Sequence, residues 1–139
     1  MKWTVLSDNR TQNPLFVTEH GLSILLETKR YRILLDTGAS DLFLHQAERL
    51  GIDLSTVDYV FISHGHSDHA GGLRYFLATN EKAKVIISPY AISGKFYSER
   101  KNLHSITTSL TEIPPERLLL IDQNREIAEG LQEIGRAHV

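Results

Sequence analysis

The sequence predicts an α/β fold, a mixed β-sheet with helices packed on one face. Three observations lead there. Runs such as Ile33-Leu34-Leu35 and Tyr59-Val60-Phe61-Ile62 have the length and branched or aromatic content of buried strands. Two of these runs pass through a short turn into a helical pattern, the alternation that lays helices over a sheet. Two early strands are joined only by the polar residues Thr28-Lys29-Arg30, which makes a hairpin and gives the sheet an antiparallel part.

Taken in order, a first strand is expected over 3–7, ended by Asp8-Asn9 and a polar loop reaching Pro14. Strands over 22–27 and 31–36 form the hairpin. Gly38 permits a sharp turn, and Ser40 can cap a helix over 41–50 that Gly51 ends. Leu42, Phe43, Ala47 and Leu50 give that helix its core-facing stripe. A second strand–turn–helix unit follows, with a strand over 59–63, a histidine-rich loop and a helix over 72–78. Residues 84–88 resemble another buried strand, which Pro89 ends. Residues 90–109 carry no clear periodicity. Pro114-Pro115 marks a turn before a strand over 118–121. Residues 125–129 read as a turn and 131–134 as a final strand.

At 139 residues the chain is expected to be one domain. A net charge of −2 gives no reason to expect nucleic acid or an anionic membrane as a partner. The absence of cysteine excludes disulfides and thiolate ligands, and fits a reducing compartment. No stretch approaches the length of an apolar membrane span, and the initial apolar run meets Asp8 too soon for a signal peptide. The expectation is a cytoplasmic protein.

The chemistry concentrates in Ser63-His64-Gly65-His66-Ser67-Asp68-His69, directly after a predicted strand. Imidazoles and a carboxylate suit zinc, iron or manganese far better than calcium or magnesium. The alternation of His64 and His66 lets two imidazoles converge on one ion across a bend, while Asp68 and His69 can begin a second site close by. Paired ions serve hydrolysis, since they clamp a water-derived nucleophile and the oxygens of a displacement. Asp36, at the end of another strand, sits where functional groups are normally presented. It can accept the free N–H of a ligand histidine, or simply close its own turn. His20, Asp8 and Asn9 can border the same cleft. His45 falls on the exposed side of a helix, and His104 in the stretch without periodicity.

The set His64-x-His66-x-Asp68-His69 after a strand resembles the hallmark of the metallo-β-lactamase superfamily. Val5-Leu6-Ser7-Asp8-Asn9, Glu19-His20-Gly21-Leu22-Ser23-Ile24 and Ile33-Leu34-Leu35-Asp36-Thr37-Gly38 resemble its dihydropterin-synthase-like branch of metal-dependent hydrolases. The resemblance runs over roughly residues 1–90 and implies an αββα sandwich of which this chain carries the N-terminal half. It further implies that His64 and His66 hold one metal and Asp68 and His69 a second. Asp68 would also orient the nucleophile, with Asp36 as the acidic partner beside the metals. The cofactor implied is zinc, up to two ions, with iron or manganese possible. Metal-activated water would then act on an ester, phosphoester or related small-molecule substrate.

The ligands that the superfamily supplies later are missing. After His69 the chain has only His104 and His138, and Asp122 is its only later aspartate. Residues 1–139 are therefore expected to form a single domain truncated at its C-terminus, poor at catalysis alone and prone to pair with a second copy across its uncovered face. Two other readings compete. One is a non-catalytic metal-binding or interaction module. The other is a dimeric aspartic protease of retroviral type, because Asp36-Thr37-Gly38 also resembles that signature.

Overall fold

The structure, a computed structural model, describes residues 1–93, 97–98, 104–105 and 113–133. Its centre is a six-stranded sheet in the order β1-β2-β3-β4-β5-β8. The strands are β1 (Lys2–Ser7), β2 (Ser23–Glu27), β3 (Arg32–Leu35), β4 (Tyr59–Ile62), β5 (Lys84–Ile87) and β8 (Leu118–Leu120). β1 pairs antiparallel with β2, and β2 with β3, whereas β3, β4, β5 and β8 are mutually parallel. The sheet is thus mixed, as the hairpin and the strand–helix units require. Helices α1 (Leu42–Arg49), α2 (Ser67–Ala70), α3 (Leu73–Thr79) and α4 (Pro89–Ser93) complete the α/β fold. Strands β6 (Tyr97–Ser98) and β7 (His104–Ser105) form a small ladder, and β9 (Arg125–Ala128) and β10 (Leu131–Glu133) a separate hairpin.

Alternation along the strands sorts the residues by face. Leu25, Leu34, Val60, Ile62, Val85 and Ile87 pack with Phe43 and Ala47 of α1 and with Leu73 and Phe76 of α3 in one buried core. Truncating either fully buried phenylalanine to Ala would cost about 3–5 kcal/mol. The intervening residues Leu26, Ile33, Leu35, Phe61 and Ile86 face the other way. There they line a cavity of about 160 Å³ beneath Ile127 and Leu131 of the β9–β10 hairpin. Two contacts tie that hairpin to the turn after β2: Tyr31 donates to the Glu129 carbonyl at 3.1 Å, and Arg30 pairs with Glu129 at 3.1 Å.

Four expectations change. Residues 125–128 form a strand, not a turn, because the reversal is made by Glu129-Gly130 with Gly130 at φ +80. Leu50 is not core: it lies one residue past α1, 43% exposed, beside a cleft that it shares with Phe16 and Val17. Gln46 takes the buried place on that helix instead and donates to the Val17 carbonyl at 3.1 Å. The helix expected over 72–78 is preceded by the separate short α2, which carries Asp68 and His69. Finally, Ser40 is not the capping residue: the N-cap of α1 is Asp41, whose side chain makes no capping bond, and Ser40, one residue earlier, accepts only the Leu42 N–H at 3.2 Å. Among the described residues no helix is long and apolar enough to cross a membrane.

Candidate functional site

Parallel strands β3 and β4 lie side by side, so the residues that follow them emerge together at the sheet's carboxyl edge. Such edges present functional groups because the chain leaves the ladder there and its side chains and amides turn outward. Asp36 follows β3, and Ser63 and His64 follow β4. Asp36 has φ +55, a left-handed conformation that costs a side-chain-bearing residue on the order of 1–3 kcal/mol. Neighbours hold it there: its N–H donates to the Phe61 carbonyl at 2.8 Å, and Ser23 Oγ donates to its carbonyl at 2.8 Å.

That conformation turns the Asp36 carboxylate inward, where it is 1% exposed. Oδ1 accepts the Ser63 N–H at 2.7 Å, and Oδ2 accepts the Ser63 hydroxyl at 2.6 Å. Oδ2 also meets His69 Nδ1 at 2.8 Å. A carboxylate only accepts, so His69 carries its hydrogen on Nδ1. Ser63 has one hydroxyl hydrogen and gives it to Asp36, so its contact with His64 Nδ1 at 2.8 Å is one in which the imidazole donates. One buried carboxylate therefore sets the tautomer of two histidines, His69 directly and His64 through Ser63. Ser63 was not singled out from sequence, because its part depends on a strand neighbour 27 positions away.

The imidazoles cluster. The His64 ring lies 4.2 Å from that of His69 and 4.5 Å from that of His66, centroid to centroid. Asp68 Oδ2 lies 3.5 Å from His69 Nε2 and 3.2 Å from His20 Nε2. The hydrogen bond to Asp36 raises the His69 pKa above the ordinary histidine value. Burial opposes that rise, and the charges of Asp36 and Asp68 add to it. Beside the cluster is a cavity of about 400 Å³, walled by Asp8, Asn9, Arg10, His20, Asp68 and His69.

As a donor set, imidazole with carboxylate suits zinc, iron or manganese. The directions set by Asp36 suit it too, since a ligand imidazole ordinarily gives its other N–H to a carboxylate or hydroxyl. Among the described residues, though, no three His, Asp or Glu side chains are arranged to hold an ion as they stand. Asp122 follows β8, two strands from β4 at the same end of the parallel sheet, and His138 lies outside the described residues. His104 is described only as part of the β7 backbone. His45 is exposed and pairs with Asp41 at 3.2 Å. The protease reading fails on geometry: the Asp36 carboxylate is buried and engaged by its own chain, so it has no face for a second copy's aspartate.

A profile of the metallo-beta-lactamase superfamily matches residues 18–135. An uncharacterized protein of Methanocaldococcus jannaschii is 36% identical over 97 residues, which make up 69% of this chain and 38% of that one. The same organism's 7,8-dihydropterin-6-methyl-4-(beta-D-ribofuranosyl)-aminobenzene-5'-phosphate synthase is 27% identical, over 96% of this chain and 42% of its own length. A crystal structure of a metal-dependent hydrolase of the beta-lactamase superfamily superposes with a TM-score of 0.70 at 35% identity, over 91% of this chain and 44% of that chain. A quorum-quenching N-acyl homoserine lactone lactonase shares the fold, with a TM-score of 0.59 at 23% identity. The chain spans less than half the length of each of these relatives.

Proposed function

The chain belongs to the metallo-beta-lactamase superfamily, and from that membership we propose that it is the histidine-motif part of a metal-dependent hydrolase. Its substrate would be a small ester, phosphoester or related molecule. The observation that carries this reading is the Asp36 network, which directs the Nδ1–H groups of His69 and, through Ser63, His64 inward. His64 and His66 would hold one zinc, and Asp68 and His69 a second, with iron or manganese as the other candidates. The metal, when bound, supplies Lewis-acid activation of a water nucleophile. Asp68 stands at the cavity wall, where a carboxylate can accept a proton from that water and orient it. Asp36 would keep both imidazoles in the tautomer that leaves Nε2 as the coordinating nitrogen.

A second reading is favoured by one observation, that among the described residues no three His, Asp or Glu side chains are arranged to hold an ion as they stand. Four ligands from one loop do not complete two metal sites. In that reading the domain binds metal without turnover, and a second copy covers its exposed sheet face. The remaining parts of the proposal are a cytoplasmic location and no nucleic-acid or membrane partner.

The test begins with elemental analysis of purified protein. Wild type is expected to carry zinc, iron or manganese, and His64→Ala with His66→Ala together should abolish that content. Equal metal in both proteins would overturn the assignment. Assays with generic ester and phosphodiester substrates then separate the two readings, because chelator-sensitive turnover supports the hydrolase and metal without turnover supports the module.

A further inference from the structure

We propose that Asn9 and His20 are a positioning pair for Asp68, with Asn9 fixing His20 in the Nε2–H tautomer so that His20 donates to the Asp68 carboxylate. The inference rests on the reading of Asp68 as a functional carboxylate. Its argument begins at Gly21, whose backbone N–H can only donate and reaches the Asn9 side chain at 2.9 Å. The Asn9 atom there is therefore Oδ1, which places Nδ2 toward His20 Nδ1 at 2.8 Å. An amide nitrogen only donates, so His20 Nδ1 accepts and bears no hydrogen. In the neutral ring the hydrogen then sits on Nε2, 3.2 Å from Asp68 Oδ2, which can only accept. The chain of donors runs one way, from Gly21 through Asn9 and His20 to Asp68.

His69 does not compete for this part. Its Nε2 is 3.5 Å from the same Asp68 oxygen, but its Nδ1 hydrogen is committed to Asp36, so in the neutral ring Nε2 has none to give. The segment that carries His20 also grips the backbone of Asp68, because the Leu22 N–H donates to the Asp68 carbonyl at 3.2 Å. Gly21 makes that approach possible: a Cβ there would stand 2.6 Å from the Asp68 carbonyl oxygen. Asp68 is thus held twice by residues 20–22, once at its main chain and once at its carboxylate. His20 and Asn9 both line the cavity beside His69, so the pair stands where a substrate would arrive.

The decisive measurement uses the metal-free chain. Long-range nitrogen–proton NMR of the His20 ring, with the ring neutral, is expected to report the Nε2–H tautomer in wild type. Asn9→Ala should release that preference. A wild-type His20 in the Nδ1–H form, or one without preference, overturns the inference. The second measurement is zinc affinity by chelator competition. His20→Ala and Asn9→Ala are expected to weaken binding about 10-fold, the lower end for a lost partner of a ligand. His20→Gln, which returns an N–H donor near the position of Nε2, should restore most of it. Because the His20 side chain is 60% exposed, these variants should fold, and unchanged melting temperatures would separate positioning from stability. Equal affinity in His20→Ala and wild type also overturns the inference. Should wild type bind no zinc, the hydrolase reading fails, and the tautomer measurement still decides this one.

Discussion

Asp36 does three things with one carboxylate, so its replacement is informative. In Asp36→Asn one oxygen becomes an NH2, which cannot accept from Ser63 or His69. A buried donor left unmatched costs about 1–3 kcal/mol. Zinc affinity should fall about 10–100-fold, the usual cost of losing the partner that orients a ligand. Denaturant unfolding and chelator competition read the two effects, and no change in either would reduce Asp36 to a turn former. His69 supplies a prediction in pH. Its folded pKa is raised, first by the hydrogen bond to Asp36. The pairing therefore stabilises the metal-free chain fully below the unfolded value of about 6.5, and is lost as pH rises through the higher folded value. With chelator present, the denaturant midpoint should decline across that window, and His69→Gln should flatten the decline. Metal uptake should run the other way and strengthen with pH, since metal and proton compete for the imidazole.

Between elements, the decisive contact is the crossing of the α2–α3 link over the loop that follows β3. Thr37 N–H donates to the His69 carbonyl at 2.8 Å, and Gly72 N–H to the Gly38 carbonyl at 3.1 Å. This seam holds the motif against Asp36. Gly72 is required there for room, since a Cβ would stand 2.4 Å from the Thr37 oxygen and 2.5 Å from the Ser40 oxygen. Backbone oxygens cannot swing aside as a side chain can. Gly72→Ala is expected to destabilise the fold by about 1–3 kcal/mol, the cost of overpacking, and to weaken metal binding with it. Gly51→Ala is the contrast: its φ of +70 strains an alanine, but no atom stands within 4 Å, so metal binding should survive. Equal metal loss in both variants would mean that the seam does not set the site.

The two faces of the main sheet differ in how they are covered. Among the described residues, one lies under α1 and α3, whereas the other has the β9–β10 hairpin over part of its width. Register places Val5, Ile24, Leu35, Phe61, Ile86 and Leu119 in one apolar row on this second face, with Leu35, Phe61 and Ile86 beneath the hairpin and Val5 at the exposed end. Trp3 and Val5, on edge strand β1, are 67% and 49% exposed. Among the described residues β1 is an edge of the main sheet, and an apolar row that ends on such an edge favours association. Light scattering is expected to show self-association that grows with concentration, and Trp3→Lys with Val5→Lys should shift the chain toward monomer. A wild type that stays monomeric at high concentration would mean that the hairpin covers enough of this face.

Much was legible from residues alone. The β-type runs, the hairpin, the α1 helix and the His64–His69 motif are local patterns, written in neighbouring residues and repeated at strand or helix spacing. The position of Asp36 just past the end of a strand was legible as well. Local patterns misled at Leu50 and at residues 125–128. Leu50 keeps the helix's periodicity but lies past the helix end, and Arg125-Glu126 are polar because most of their hairpin faces solvent. What folding alone supplied is the set of partnerships between distant segments: Ser63 between His64 and Asp36, Asn9 behind His20, and His20 on Asp68. A hydrogen bond depends on a few tenths of an ångström and on which atom carries the hydrogen. No spacing in the sequence encodes that, because the strand order and the left-handed turn at Asp36 must first bring the atoms together.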